Sequence, residues 1–448
     1  MMADYFLKRV AQYIKGRDLL KPTDKCLVGL SGGADSVALL IALVRLGYDV
    51  EAVHCNFQLR GNEALNDELF AVQLCEKLGV TIHRVHFDTR EYAELHKVSI
   101  EMAARELRYD YFQKLAHDIG ATAVCVAHHR DDSVETVLLN LFRGTGINGL
   151  TGIAAKNNNI IRPLLCVSKA DILDFLNLLK QNYVTDSSNL KDDVRRNKVR
   201  LNLIPIIKEI NPAAQECIER TARRLESVAK IYNNTVNKAA SEVCVTTESG
   251  GVTIDINKLL EFDYCEDVIW KIVSGYGFTS ADAESITKTM ASQSGKVFYS
   301  ADYQLLIDRK YIIIERRGAD NDKVMRIPEE GTYVYDEKTK LRVSVFPMTD
   351  DVKIDKRKCC LMADADRAAF PLLIRKVAPG DRFCPLGMRG SKLVSDFLTD
   401  NKLSLFEKQR QLVVTERNNK ILWLVNLRPD NDFRIRKETK KIIKIELL

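Results

Sequence analysis

A loop of small and hydroxyl-bearing residues near the start of the chain has the composition of a phosphate site. It spans 31–36, directly after the apolar run Cys26–Leu30 and directly before a stretch with helical patterning. Glycines let a backbone approach phosphate oxygens, and a helix N-terminus offers free N–H groups with a partial positive charge. The loop lacks the lysine of the Walker form, so it predicts another kind of pyrophosphate site. Its members are Ser31, Gly32, Gly33, Ala34, Asp35 and Ser36.

Three acidic residues could bind a metal ion or an amine. Asp35 would repel phosphate unless a divalent cation lay between them, and it therefore indicates Mg²⁺. The string 127–136, AHHRDDSVET, stands between a predicted strand and a predicted helix. Its Asp132 and Glu135 lie one helical turn apart on one face. Such a pair can bind Mg²⁺ or attract the ammonium group of a substrate, although acids in a first helical turn also serve as simple caps.

Four arginines could neutralise the phosphates of a nucleotide or of an RNA. Arg105 and Arg108 are three residues apart in a predicted helix, so both side chains can reach one anion. Arg196 and Arg200 belong to a charged stretch that follows Asp186–Asn189. A solvated helix face or surface loop is the alternative for each pair, and the residue types leave that alternative open.

The elements that must position these residues alternate along the first 150 residues. Strands followed by helices predict an α/β domain with a doubly wound, mostly parallel sheet, in which ligands bind at the C-terminal ends of the strands. The predicted strands are Cys26–Leu30, Val50–Cys55, Val80–Phe87 and Ala123–Ala127. The predicted helices are Ser36–Leu46, Glu63–Leu78, Ile100–Ile119 and Asp131–Phe142.

The rest of the chain predicts two further domains. Helical patterning runs from Leu201 to about Val243, broken by Pro205 and Pro212, and strand patterns follow at Gly251–Ile256 and Tyr311–Glu315. A linker is predicted at 318–322, before short β-branched runs typical of a β-rich α+β domain. We expect a catalytic domain over 1–208, a small mainly helical substrate-binding domain over 209–318 and a C-terminal domain over 325–448.

Composition narrows the class of protein without deciding its activity. The 448 residues carry a formal net charge of +6, which suits either an ordinary solvated surface or a diffuse phosphate-binding face. The eleven cysteines show no C-x-x-C spacing, as expected of a reduced protein. No signal peptide and no apolar stretch near the ~18 residues of a membrane span is present, so we expect a cytoplasmic protein with no membrane partner.

Several motifs together resemble those of a known enzyme family. The loop 31–36 resembles the SGGxDS signature of PP-loop ATP pyrophosphatases, which split ATP into AMP and pyrophosphate. The string 127–136 is similar to the AHHxDDxxET motif of tRNA(Ile)-lysidine synthases. The helix 101–109 resembles their ExxARxxRY motif, and 186–200 resembles their DxSN and RNxxR pair. Segments within 375–397 look like their C-terminal domain, but a second histidine common near His54 is absent here.

The resemblance implies a two-step ligase reaction that uses ATP and Mg²⁺. The wobble cytidine in the CAU anticodon of tRNA(Ile) would be adenylated, and the ε-amine of L-lysine would then displace AMP. A homodimer is compatible with this expectation. The resemblance implies catalytic roles for Asp35, Arg108, Asp132 and Glu135, with Asp35 and Asp132 also holding the metal. It implies contacts to substrate or RNA for His54, Arg105, His129, Arg196 and Arg200.

Three alternatives stay open from sequence. A PP-loop tRNA thiolase would commonly carry C-x-x-C pairs, and the only close cysteines are the adjacent Cys359 and Cys360. Another adenylating ligase acting on a small molecule would leave the long C-terminal half unexplained. An RNA-binding protein with a regulatory or inactive nucleotide site would not need the acids Asp35, Asp132 and Glu135.

Overall fold

A computed structural model describes residues 2–185, 195–246, 251–292, 294–318, 323–337, 339–349 and 351–448. The chain divides into two compact units, Met1–Asn233 and Asn234–Leu448. In these described ranges, no helix is long and apolar enough to cross a membrane. The predicted motif at 186–189 and most of the predicted linker, 319–322, lie outside the described residues.

The first unit is built on a six-stranded sheet in the order β3-β2-β1-β4-β6-β5. All of its pairings are parallel except that of the edge strand β5 with β6. The strands are β1 Lys25–Gly29, β2 Asp49–Asn56, β3 Ile82–His86, β4 Ala123–Cys125, β5 Lys156–Asn157 and β6 Ile160–Ile161. This confirms the predicted mostly parallel sheet. The chain runs outward from β1 to β3 and then returns to β4 on the other side of β1, so a crevice opens where β1 and β4 end.

Helices accompany this sheet, and the helix that follows β1 is its most buried. Nine of the residues of α2, Ala34–Arg45, are buried, as its almost continuous apolar sequence predicts. The other helices of this part are α1 Met2–Gly16, α3 Asn62–Leu78, α4 Thr89–His96, α5 Ile100–Asp118, α6 Arg130–Phe142, α7 Lys169–Leu178, α8 Arg195–Lys198, α9 Ile204–Ile210 and α10 Ala214–Val243. Short 3₁₀ turns occupy Ile147–Thr151 and Pro163–Cys166.

The prediction that Pro205 breaks the helix is wrong. α8, a π-helical turn at Val199–Leu203 and α9 follow one another without interruption, and Pro205 stands in the first turn of α9. A proline is tolerated in a first turn because its missing N–H would be unpaired there, and the π turn supplies a local change of register. Pro212 does separate α9 from α10, as predicted.

The second unit contains one mixed segment and one β-rich segment. The first has a five-stranded antiparallel sheet, ordered β7-β8-β11-β10-β9, with three short helices, and helices account for more of 209–318 than strands do. Its elements are β7 Cys244–Thr246, β8 Val252–Asp255, α11 Ile256–Leu259, α12 Cys265–Ser274, α13 Ser280–Met290, β9 Val297–Tyr299, β10 Tyr303–Asp308 and β11 Tyr311–Arg316.

The β-rich segment follows the predicted α+β pattern. Its sheets have the orders β12-β16-β19-β20-β21, β13-β14-β22-β15 and β17-β18. The strands are β12 Met325–Ile327, β13 Gly331–Val334, β14 Lys340–Pro347, β15 Cys360–Asp364, β16 Leu372–Lys376, β17 Arg382–Phe383, β18 Lys392–Leu393, β19 Leu412–Thr415, β20 Ile421–Leu424, β21 Arg428–Pro429 and β22 Lys441–Leu447. The helices are α14 Val394–Asp400 and α15 Leu405–Arg410. A buried core that includes Trp423 holds the two larger sheets together.

Candidate active site

The predicted phosphate loop connects β1 to the N-terminus of α2. Gly32 has a φ of +89°, and Gly33 is the residue that precedes the helix, with no side-chain cap. The hydroxyl of Ser36 donates to the Gly33 carbonyl at 2.9 Å and accepts from the Ser31 N–H at 3.2 Å. These bonds close the loop around the helix end, where first-turn N–H groups and the helix dipole favour an anion.

Asp35 faces this crevice and contacts two cationic or titratable side chains. Its Oδ1 accepts from the Lys169 ammonium at 2.7 Å and lies 3.9 Å from Nε2 of His129. Lys169 is the first residue of α7, and its own N–H donates to the Asp131 carboxylate at 3.0 Å. Because a cation at a helix N-terminus opposes the helix dipole, the Lys169 ammonium depends on an anion such as Asp35.

The acids of α6 are paired with the two arginines of the following segment. Glu135 is only 1% exposed and accepts from Nε of Arg196 at 2.7 Å and from Nε of Arg200 at 2.6 Å. Asp132 Oδ1 lies 3.4 Å from Arg196 and 3.3 Å from Arg200. Burial acts to raise the pKa of Asp132, but the electrostatic effects of His129 and Arg196 and the hydrogen bond from the His129 N–H outweigh it, so its pKa is lowered and the group is a carboxylate.

Two neighbouring histidines have different surroundings. His129 precedes α6, its N–H donates to Asp132 at 3.0 Å, and its buried Nδ1 has no hydrogen-bond partner within the described residues. His128 accepts at Nδ1 from the Arg162 guanidinium at 3.3 Å. Burial lowers the pKa of His128 to about 4, so the ring is neutral near pH 7 and can accept that bond.

A cavity of about 840 Å³ in the first unit joins these groups. Ser31, Gly33, Asp35, Ser36 and Lys169 line its phosphate end. The wall also includes other polar and charged side chains: Arg105, Arg108, His128, His129, Asp131, Asp132, Glu135, Arg196, Asn197 and Arg200. Its apolar surface includes Val53, Cys55, Phe57, Tyr109, Phe112 and Val126. The volume is within the range of sites for small ligands and cofactors.

The structure brings most of the predicted site residues to one place. Arg105 and Arg108 both line the cavity from α5, as their spacing predicts. His54 does not: it is buried, and its Nδ1 lies 2.9 Å from the Leu30 carbonyl, so it supports the backbone just before the loop. Burial also lowers the pKa of His54, which favours the neutral ring.

Sequence reasoning missed Lys169. The available signal was a lysine at the first position of a helix, between Ser168 and Asp171, which form a capping box. A basic residue in that position is electrostatically unfavourable unless an anion lies opposite, and the sequence alone does not show which acid that is.

The donor groups fit Mg²⁺ only if a nucleotide supplies the remaining ligands. Over the ranges that the structure describes, no group of three or more His, Cys, Asp or Glu side chains could hold a metal ion by itself. Mg²⁺ is commonly bound through one or two carboxylates together with substrate phosphates. Asp35 and Asp132 meet this requirement, because both carboxylates approach Nε2 of the same His129 beside the loop.

Replacement of Gly32 by alanine is expected to weaken nucleotide binding about tenfold, because a side chain at φ +89° costs on the order of 1–3 kcal/mol. Gly47→Ala is the matched control, since Gly47 has a φ of +81° with open space around it and follows α2 at the opposite end. Titration with ATP by calorimetry should separate the two variants. Equal losses of affinity would show general backbone strain and contradict a special role for the loop.

The stability of this unit is expected to fall as pH drops from about 6.5 to 4. Unfolded His128 titrates near 6.5, whereas the folded ring has a pKa of about 4, so between these values the unfolded state binds more protons. The contribution of neutral His128 to the free energy of unfolding is fully present above about pH 6.5. Its loss at lower pH is on the order of 3 kcal/mol. Between pH 7.5 and pH 5, the melting temperature measured by calorimetry should decrease less for His128→Asn than for the wild-type protein.

The parallel sheet, the SGGADS loop and the facing acids define a PP-loop enzyme that uses ATP. A family model described as PP-loop domain matches residues 2–207, and a second, described as TilS substrate binding domain, matches 247–317. The tRNA(Ile)-lysidine synthases of Bacteroides thetaiotaomicron and Parabacteroides distasonis are each 43% identical to the chain, over 97% of it and 98% of their own length. The chain belongs to the tRNA(Ile)-lysidine synthase family, whose members are ligase-type enzymes.

Two further similarities are more distant. The tRNA(Ile)-lysidine synthase of Porphyromonas gingivalis is 35% identical over 95% of each chain. Among solved structures, a U34-tRNA thiolase from Methanococcus maripaludis has 21% identity and a TM-score of 0.43, over 50% of this chain and 80% of that one.

Proposed function

We propose that the chain forms lysidine at the wobble cytidine of the CAU anticodon of tRNA(Ile), from ATP and L-lysine. In the first step, O2 of the cytidine attacks the α-phosphorus of ATP, and pyrophosphate leaves. In the second step, the lysine ε-nitrogen attacks C2 of the base, the C2–O bond breaks, AMP leaves and the amine loses a proton. One observation carries this proposal: a PP-loop and a paired acid cluster face one cavity in a chain that matches lysidine synthases over nearly its whole length.

The phosphate end of the cavity suits the leaving pyrophosphate. The N-terminus of α2 and the Ser31 hydroxyl can donate hydrogen bonds to its oxygens. Mg²⁺ held by Asp35 and Asp132 would neutralise phosphate charge. Lys169 lies 2.7 Å from Asp35 and is close enough to the loop to add a further positive charge.

The acid cluster suits the amine. A lysine ε-amine must be neutral to attack carbon, so a carboxylate beside it can orient the ammonium form and accept the released proton. Asp132 has a lowered pKa and is therefore available as a carboxylate. Arg196 and Arg200 hold Glu135 and Asp132 in place and carry charge that can also meet RNA or nucleotide phosphate.

The remaining segments have roles that follow from the substrate. We assign the catalytic domain to 1–208, a substrate-binding domain to 209–318 and a tRNA-binding domain to 325–448, because the two family models match within the first two ranges. A tRNA substrate favours the cytoplasm. A homodimer stays a prediction, which the molecular mass from light scattering would decide.

The direct test is mass analysis of tRNA nucleosides after incubation with ATP and lysine. We expect a cytidine derivative heavier by lysine minus water, and multiple-turnover pyrophosphate release that requires both tRNA(Ile) and lysine. Methionine tRNA with the same anticodon is the matched substrate control. Release of pyrophosphate with a small molecule in place of tRNA, or incorporation of sulfur, would contradict the proposal.

A further inference from the structure

An aromatic stack borders the cavity beside Arg108 and has no role in the reaction as set out above. The ring centroids of Phe57 and Phe87 are 5.7 Å apart in a stacked arrangement. Phe87 meets Tyr111 edge-on, with a centroid distance of 5.9 Å. The central carbon of the Arg108 guanidinium lies 5.0 Å from the centroid of Phe57. Because Phe57 and Arg108 both line the cavity, the stack ends at the site.

The backbone of Phe57 is fixed from both sides. Its carbonyl accepts from the hydroxyl of Thr89, a fully buried residue, at 2.9 Å. The carbonyl of the preceding Asn56 accepts from the Phe87 N–H at 2.9 Å, and the Asn56 side chain accepts from the Gln58 N–H at 3.0 Å. The turn beyond β2 therefore holds the Phe57 backbone in place, and the ring contacts with Phe87 and Arg108 complete its packing.

The same stack also contacts α5 at two points. Arg108 and Tyr111 are three residues apart on α5, so they lie on one face of the helix. Arg108 packs on Phe57, and Tyr111 packs on Phe87. The position of Arg108 relative to the end of β2 is thus set by two contacts with one rigid group.

Arg108 and Arg105 each lie over an aromatic ring, Arg105 over Tyr109 at 5.1 Å, and they differ in this from Arg196 and Arg200. Arg196 and Arg200 are fixed by carboxylates, whereas no carboxylate pairs with Arg108 within the described residues. A long side chain loses rotamer freedom when it binds an anion, and a surface that already restricts it reduces that loss. An aromatic face attracts a guanidinium while leaving its N–H groups free to donate.

We propose that Phe57 is a positioning residue that holds Arg108 over the cavity, ready to bind the phosphates of ATP. This inference rests on the proposed function, because it takes the anion to be the triphosphate that becomes pyrophosphate. Phe57 makes no bond to the reacting atoms and acts through Arg108. Since a phenyl ring cannot be protonated, this positioning is independent of pH.

A double-mutant cycle tests this coupling through pyrophosphate release at saturating tRNA and lysine. Phe57→Leu keeps apolar volume but removes the aromatic face, and we expect kcat/KM for ATP to fall about tenfold. Phe57→Tyr should retain activity, and Phe57→His should lose it selectively below about pH 6.5, where a charged ring repels the guanidinium. In an Arg108→Ala background, Phe57→Leu should cause no further loss.

Tyr5→Leu is the matched control. Tyr5 is 64% exposed and outside the cavity, and Arg9 lies over its ring at 5.8 Å, so this variant also removes an arginine–aromatic contact. We expect its kcat/KM to stay within twofold of the unchanged protein, an ordinary result for a surface substitution.

Two results would overturn the inference. An equal loss from Phe57→Leu with and without Arg108 would mean that Phe57 acts directly, for example by stacking on a nucleobase. An Arg108→Ala variant with unchanged turnover would mean that there is no function for Phe57 to support. Failure of the proposed function gives a separate result, because the unchanged protein would then release no pyrophosphate with tRNA(Ile) and lysine.

Discussion

Asp35→Asn is expected to reduce pyrophosphate release at least about 100-fold, the scale seen when one preorganised electrostatic group is removed from an active site. The substitution keeps the size of the side chain and removes its charge. It would take away a proposed Mg²⁺ ligand and the partner that Lys169 contacts at 2.7 Å. The measurement is the rate of pyrophosphate release with tRNA(Ile), lysine and ATP, each at saturation.

Asp49→Asn provides the matched control for this change. Asp49 is exposed at the start of β2, the end of the sheet remote from the loop, so the same loss of charge there should leave the rate within twofold. If Asp35 binds Mg²⁺, the remaining activity of Asp35→Asn should require a higher Mg²⁺ concentration. An unchanged Mg²⁺ dependence would mean that Asp35 does not bind the metal and that its role is to hold Lys169.

The phosphate loop and the acidic string could be predicted because their signals are local. A short apolar strand, a glycine turn and an apolar helix specify where Ser31–Ser36 must lie, and the same logic places Asp132 in the first turn of the helix that follows β4. Parallel strands then bring their C-terminal ends to one edge of the sheet. The predicted parallel sheet therefore places both motifs at the edge where ligands bind.

The pairing of the charges could not be predicted, since it depends on contacts between residues far apart in the chain. Lys169 and Asp35 are separated by 134 positions, and Arg196 and Glu135 by 61. Judged by residue type alone, several arginines could have paired with Glu135. Arg196 and Arg200 reach Glu135 from successive turns of a helical path that begins at Arg195, ahead of Leu201, where the predicted helical patterning starts.

The structural role of His54 also could not be predicted from the sequence. His54 follows the alternating pattern of β2 and stands near the loop, so a ligand contact and a structural bond were equally consistent with its position. In the structure, His54 contacts the Leu30 carbonyl. It does so because its side chain is buried within the sheet, and the sequence does not show how deeply the side chains of β2 are buried.

Glu135→Gln is expected to destabilise the first unit by about 3 kcal/mol, because removal of one partner leaves buried charges uncompensated. Glu135 is 1% exposed and receives both arginines, so the change would leave Arg196 and Arg200 with Asp132 as their remaining carboxylate among the described residues. The Arg200 pKa reflects the same contact: burial acts to lower it, and the hydrogen bond and charge of Glu135 raise it above its ordinary value.

The measurement must report on the first unit. Both tryptophans, Trp270 and Trp423, belong to the second unit, so their fluorescence would not follow the change. Hydrogen exchange of peptides from α6 and from 195–210 is the suitable probe, with faster exchange expected in both. Glu219→Gln, which breaks the exposed pair with Arg223 on α10, should cost only about 0.5 kcal/mol.

The same variant separates two roles for the acid cluster. If Glu135 serves mainly to fix the arginines, Glu135→Gln should raise KM for tRNA or ATP, because Arg196 and Arg200 lose their fixed orientation. If the carboxylate also binds the lysine amine, KM for lysine should rise more than KM for tRNA or KM for ATP. Unchanged exchange in α6 together with unchanged kinetics would contradict both roles, since a charge buried this deeply must contribute to one of them.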